Sequence, residues 1–309
     1  MKGEMDRLLM RQQEWREARL AVATVVRAWN SAPRPAGSHM LIHEDGRFEG
    51  SVSGGCVEGD VLQAAAQVIA DNRHQILNFG VENETAWEVG LPCGGEIRIL
   101  VQPVAPTGFA GTLFAEIAEA RAAGDKLSTA TDLETGITRL AGAADDGLWI
   151  NHYAPRRRLL IVGAVQIAQS LARIACELDI EPFIIDPRER FLTADRFPDV
   201  IRDDRWPDEA IAEHHPDNCT AIVALSHDPK IDDPALIAAL ETPATYIAAL
   251  GSRKNHAARL DRLRAQGLNN KMLARIDGPA GLDIGSVGPA EIALSIAASM
   301  IAAFSQNSP

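Results

Sequence analysis

Two short segments set a thiol beside bare backbone and a carboxylate. In Ser51-Val52-Ser53-Gly54-Gly55-Cys56-Val57-Glu58-Gly59-Asp60 two glycines stand directly before a cysteine, and in Leu91-Pro92-Cys93-Gly94-Gly95-Glu96 two stand directly after one. Gly54 and Gly55 permit positive φ and leave the Cys56 sulfur open to a ligand or to another stretch of backbone. A helix opening at Val57 puts that thiol at its positive end, which favours thiolate, while Glu58 and Asp60 oppose it. Taken alone, a cysteine in such a turn is a small hydrophobe. The second corner, with its own Glu96, shifts the reading to one cleft facing the second domain, with Cys56 and Cys93 on opposite walls. Cys56, Cys93 and Glu58 are therefore the candidates for chemistry, and Gly94 and Gly95 join Ser53, Gly54 and Gly55 as bare or polar lining. Cys176, mid-helix, and Cys219, at a strand start, read as packing residues.

The second half of the chain carries a different set. Leu160-Ile161-Val162-Gly163-Ala164-Val165-Gln166-Ile167-Ala168 has the placement of a dinucleotide fingerprint, after a strand and into a helix, and Asp186 ends the next strand 23 residues after Gly163, where an acid meets ribose hydroxyls. Val165 stands where a bare backbone must approach a pyrophosphate, so ordinary NAD(P) binding is doubtful. Ser226-His227-Asp228 ends another strand, where open α/β sheets bind ligands; the plain alternative is a capping turn. Gly251-Ser252-Arg253-Lys254 ends a further strand and opens a helix, offering backbone N–H groups, a hydroxyl and two cations to an anion. Arg253 and Lys254 also suit a solvated helix face. Gly281-Leu282-Asp283-Ile284-Gly285 precedes the last helix, as a closing loop or a tight connection.

The elements that must hold these residues follow from periodicity. Residues 6–19 predict a surface helix, 21–26 a strand, 40–43 a short strand before the turn Glu44-Asp45-Gly46, 57–70 a helix, 97–101 a strand and 110–123 a helix, with β-like pieces at 127–132 and 137–140. Beyond a boundary placed between Asn151 and Arg158 the pattern alternates: strands at 159–162, 182–185, 221–225 and 245–250, helices at 167–178, 235–240 and 254–266. This predicts an α/β chain, an N-terminal α+β domain over 1–150 followed by a Rossmann-like, doubly wound parallel sheet over 151–309.

Bulk composition sets the outer limits. The chain has 309 residues, enough for two cores, and its 46% hydrophobic and 23% charged residues are those of an ordinary globular protein. A formal charge of −12 argues against nucleic-acid or anionic-membrane surfaces, so an anionic ligand needs a local site. The charged N-terminus lacks a signal-peptide core, the apolar stretch Ile292–Phe304 is too short for a span, and four cysteines make no disulfide framework. The expectation is a cytoplasmic protein with free thiols.

Several of these segments together resemble the XdhC/CoxI family of accessory proteins for xanthine dehydrogenase and related molybdenum hydroxylases. The resemblance rests on Ser31-Ala32-Pro33-Arg34-Pro35-Ala36-Gly37, on Gly50–Gly59, on Pro92–Ile97, on the strand ends Ser226-His227-Asp228 and Leu250–Lys254, and on Gly281–Gly285 before the last helix. It implies a chaperone that binds the molybdenum cofactor (molybdopterin) transiently, assists its sulfuration with a cysteine desulfurase and inserts it into an apo molybdenum hydroxylase. The candidate binding set then comprises Arg34, Ser53, Gly54, Gly55, Gly94, Gly95, Gly163, Asp186, Ser226, His227, Asp228, Gly251, Ser252, Arg253, Lys254 and Asp283. Family members often carry Gly-Ala-Gly-His-Val where this chain has Gly163-Ala164-Val165-Gln166-Ile167. A homodimer is the default assembly. Two other readings stay open: an NAD(P)-dependent oxidoreductase using Gly163 and Asp186 with His227 as acid or base, and a zinc protein ligated by Cys56, Cys93 and His39 or His43, for which no paired cysteine spacing speaks.

Overall fold

The computed structural model describes residues 3–29, 34–80, 96–143 and 145–306. The chain divides into two compact units, Glu4–Pro155 and Arg156 onward with Gly3.

In the first unit α1 (Glu4–Glu14), β1 (Leu20–Trp29), β2 (His39–His43), β3 (Phe48–Gly50), α2 (Glu58–Asp71), β4 (Gln75–Phe79), β5 (Glu96–Pro103) and α3 (Gly111–Ala123) precede β6 (Leu127–Asp132), β7 (Ile137–Leu140) and β8 (Trp149–Tyr153). An antiparallel five-stranded sheet has the order β3-β2-β1-β5-β4, and a second sheet the order β7-β6-β8. Strand β1 reads as a continuous apolar run because both of its faces are covered. Ala21, Ala23 and Val25 point to α2, meeting Val61, Ala64, Ala65 and Val68; Leu20 and Val22 point the other way, to Leu8, Leu113, Phe114 and Ile117. Helix α2 repeats its apolar residues at helical spacing and ends at Asn72, whose φ of 53° is left-handed. The first helix stops at Glu14 instead of running to residue 19. No apolar position follows Trp15 before Ala18, so a further turn has nothing to bury; the chain turns, and the Trp15 ring meets His43 edge-on at 5.3 Å.

The second unit holds β9 (Arg157–Val162), α4 (Gln166–Glu177), β10 (Ile180–Ile185), β11 (Ile201–Asp203), α5 (Pro207–His214), β12 (Thr220–Ala224), α6 (Pro229–Leu240), β13 (Tyr246–Ala249), α7 (Arg253–Ala265), α8 (Asn270–Leu273), β14 (Ile276–Asp277) and α9 (Pro289–Gln306). All six strands are parallel, in the order β11-β10-β9-β12-β13-β14, the doubly wound arrangement whose ligand crevice lies where the order reverses. Leu159 and Ile161 face α4 and α9; Leu160 and Val162 face α6. Helix α6 starts at Pro229, well before the predicted residue 235. Pro229 suits the first turn, and Pro234 inside the helix hid the start from a periodicity reading. Helix α9 is long and apolar enough to cross a membrane by length and composition, and its Ala293, Ile296, Ala297, Met300 and Phe304 lie in the core beside α4.

Candidate functional site

The Ser51–Glu58 loop is built around one carboxylate. Glu58 Oε1 accepts from the Ser51 hydroxyl at 2.7 Å and from the amides of Val52 and Ser53 at 3.3 and 3.0 Å, and Oε2 accepts from the Gly55 amide at 2.8 Å and from the Ser53 hydroxyl. Ser53 Oγ accepts in turn from the amides of Cys56 and Val57, both at 3.0 Å, and Ser51 Oγ from Gly54 at 2.9 Å. Every backbone N–H from Val52 to Val57 thus ends on one of three side chains. Gly54 and Gly55 sit at φ of 77° and 113°, which a side chain would strain. Open space surrounds the Cβ position of Gly55, so that glycine serves the turn. Burial pushes the Glu58 carboxyl up, yet the hydroxyl and amide donors win and hold it at about 2. The expected chemical role of Glu58 and the expected binding role of Ser53 thus meet groups fully engaged inside the loop. What the frame displays outward is Cys56, which is exposed, while Cys176 is buried and Cys219 half-buried.

Arg34 is brought to this loop, its Nε donating to the Ser51 carbonyl at 3.2 Å while the other end of the guanidinium pairs with Glu4. Cys93, Gly94 and Gly95 lie outside the described residues. His39 is buried, with Nδ1 2.9 Å from Thr24 Oγ1 and Nε2 2.9 Å from the Tyr153 hydroxyl and 3.2 Å from the Asn151 amide nitrogen. Burial pulls its pKa down to about 4 and pushes that of Tyr153 up to about 12. With both ring nitrogens engaged, His39 has none to offer zinc. Nor, among the described residues, do three His, Cys, Asp or Glu side chains gather to hold a metal ion.

In the second unit the strand ends converge. Gly163, at φ 104°, lies so close to the loop after β12 that a Cβ there would stand 2.8 Å from the Ser226 nitrogen. Asp186 is fully buried, accepts from the Ala164 amide at 2.7 Å and is gripped at both oxygens by Arg188, at 2.8 and 2.7 Å. Burial raises its pKa and the Arg188 and amide bonds more than offset that, leaving it lowered. The acid expected to meet ribose hydroxyls instead pins an arginine to the Gly163 turn. Asp228 caps α6 by accepting from the Lys230 amide at 3.0 Å, and Ser226 donates to Asp232 at 2.6 Å, so the capping reading of this turn is realised. His227 is exposed, at φ 63°. Ser252 caps α7 through the Asn255 amide at 3.2 Å, and the Arg253 side chain, 89% exposed, reaches Asp283 only at 3.9 Å.

Two groups escaped the sequence reading. Asp232 and Arg259 are buried together, 3.6 Å apart, whereas their sequence contexts, the first turn of α6 and the run Arg259-Leu260-Asp261-Arg262, look like solvated helix faces. They are buried where α6 and α7 meet the strand ends, Asp232 against Ser226 and Arg259 against the Leu250 carbonyl, and no local pattern reports it.

The XdhC and CoxI family model matches residues 15–80, a span that takes in the Cys56 loop, and the model of the XdhC Rossmann domain matches residues 159–300, so that together they cover well over half of the chain. The chain belongs to the XdhC/CoxI family. Among curated relatives of this XdhC-type chain, the molybdenum cofactor insertion chaperone PaoD of Escherichia coli K12 is 27% identical over 84% of this chain and 76% of its own. A relative from Bacillus subtilis 168, described as a probable subunit of xanthine dehydrogenase, is 24% identical over 96% of this chain and 95% of its own. A crystal structure described as a xanthine dehydrogenase from Bacillus halodurans shares the fold, with a TM-score of 0.84 over 100% of this chain and 97% of that one at 23% identity.

Proposed function

We propose that this protein binds the molybdenum cofactor as cargo and inserts it into an apo-enzyme of the xanthine dehydrogenase class. The similarity to PaoD across most of both chains carries this reading. The Bacillus subtilis relative, described as a probable part of xanthine dehydrogenase, supports the class of client. In this proposal Cys56, displayed by the Ser51–Glu58 frame, is the thiol that faces the cargo and takes part in its sulfuration with a cysteine desulfurase, since soft sulfur ligands and thiol exchange suit such a metal. In the second unit taken by itself, Gly251, Ser252 and the first turn of α7, together with Ser226, His227 and Asp283, are the groups we assign to binding a polar, anionic group. Reading the second domain as an ordinary NAD(P) site finds no support in Asp186, whose carboxylate is closed off by Arg188.

The test is titration of the purified protein with isolated molybdenum cofactor, followed by absorbance and metal content, and then activation of an apo molybdenum hydroxylase. Stoichiometric binding with transfer to the client is the expected result. Absence of binding, or saturable binding of NAD or NADP with turnover of a reducible substrate, would overturn the proposal.

A further inference from the structure

Arg259 is 4% exposed, deep behind the loop that joins β13 to α7. One terminal nitrogen, Nη2, donates to the Leu250 carbonyl at 2.8 Å and stands 3.6 Å from Asp232 Oδ2. Its Nε and Nη1 find no acceptor among the described residues, and neither does Asp232 Oδ2 find a donor. A guanidinium with idle donors in a buried place is costly unless something meets them.

What lies in front of it is bare glycine. A Cβ built on Gly251 would touch only Asn255 Cβ at 3.5 Å and then Arg259 Nη2 and Nη1 at 3.8 and 3.9 Å. The space that any side chain here would fill leads onto the guanidinium. Gly251 has a φ of 150°, so a larger residue would be strained as well as obstructive. The same notch lies at the start of the 13-residue helix α7, whose first backbone N–H groups, those of Arg253 and Lys254, have no acceptor within the helix. Ser252 Oγ is already occupied by the Asn255 amide.

We infer that Arg259, the notch over Gly251 and the first turn of α7 form a binding site for a phosphate group. The planar fork of Arg259 takes two phosphate oxygens while the helix N–H groups take the others. Arg253 and Lys254 contribute their backbone and not their solvated side chains. The inference deepens the chaperone reading, in which the phosphate is the terminal phosphate of molybdopterin, and applies equally to the phosphate of a nucleotide.

The experiment uses the full chain, inorganic phosphate and pyrophosphate as probes, sodium chloride to hold ionic strength constant, and phosphorus NMR line width with thermal midpoint as readouts. Saturable binding is expected in the unaltered protein, is expected to persist in R253A/K254A, and is expected to weaken by roughly tenfold or more in R259K, which keeps a cation beside Asp232 but loses the fork. R259K is the deciding variant because Arg259→Gln leaves Asp232 buried alone and threatens the fold. No saturable binding, unchanged binding in R259K, or loss of binding in R253A/K254A would overturn the site. Displacement of the phosphate by isolated molybdenum cofactor identifies the source as the cargo, and displacement by a nucleoside monophosphate alone keeps the site while removing the chaperone reading. Cofactor binding that ignores both R259K and added phosphate removes the site and leaves the chaperone reading standing.

Discussion

Ser53 and Glu58, five residues apart, between them accept five of the six amide protons from Val52 to Val57, and the Ser53 hydroxyl donates to Glu58. Replacing Glu58 with Ala is expected to release three of those amides and to cost about 1–3 kcal/mol. Because the folded carboxyl is held at about 2, below its ordinary value, its contribution is complete above about pH 4.5 and is lost as pH falls towards 2. Chemical denaturation of the Glu58→Ala protein across pH 2–6 checks both statements; a parent and variant with equal acid sensitivity would show that the carboxylate holds nothing.

The display of Cys56 on this frame predicts an ordering of thiol reactivity. Cys56 should be alkylated by iodoacetamide well before Cys176, which is buried, since an accessible thiolate is the reacting form. Cys56→Ser should keep the parent's thermal midpoint within a degree or two while impairing activation of the client enzyme. Full activation by Cys56→Ser would assign the thiol no part in delivery.

His39 predicts a second pH dependence, at milder acidity. Its pKa is about 4 in the folded protein against an ordinary value near 6.5, so the unfolded chain binds the proton first. Stability from this group is complete above pH 6.5 and declines as pH falls towards 4, by at most about 1.4 kcal/mol per pH unit. The decline should be shallower in His39→Gln. Denaturant midpoints measured at half-unit steps in parent and variant decide it, and identical slopes would remove His39 as the cause.

The Asp186–Arg188 pair predicts that NAD and NADP produce no saturable heat in calorimetry with the unaltered protein. Asp186→Ala should be destabilised by about 1–3 kcal/mol, because it leaves the buried Ala164 amide without its acceptor. Micromolar NAD binding would contradict the assignment of Asp186 to holding the turn.

Gly163→Ala should be among the most damaging single changes in the second domain. Its new methyl would lie 2.8 Å from the Ser226 nitrogen and 2.9 Å from the Ser226 Cα at a φ of 104°, so backbone would have to move. A loss of several degrees in thermal midpoint is expected; a variant as stable as the parent would mean that the two loops separate freely.

The parallel sheet was legible because strands such as Leu159–Val162 and Ala221–Leu225 are apolar on both faces and alternate with helices of clear period. Where proline or a short polar run broke the pattern, as at Pro229 and Pro234 in α6 or along the three residues of β11, the element was shortened or missed. In the site, the sequence could show that Gly54, Gly55 and Cys56 form a turn beside Glu58, because all are neighbours in the chain. It could not show that Glu58 folds back on the loop, because a carboxylate at a helix start has the same composition whether it faces a ligand or its own backbone. Arg259 was invisible for a different reason: an arginine among arginines and aspartates gives no local sign of being buried until α6 and α7 meet the strand ends.

The amides around Cys56, from Val52 to Val57, find all their acceptors within a stretch of eight residues, Ser51 to Glu58. Its polar frame is therefore written in its own octapeptide, while Val52 and Val57 anchor it in the core of the first unit and Arg34 holds Ser51 from outside. The polar half of this segment thus travels with the sequence itself, and the orientation of its thiol depends on the two valines that fasten it to the sheet and α2.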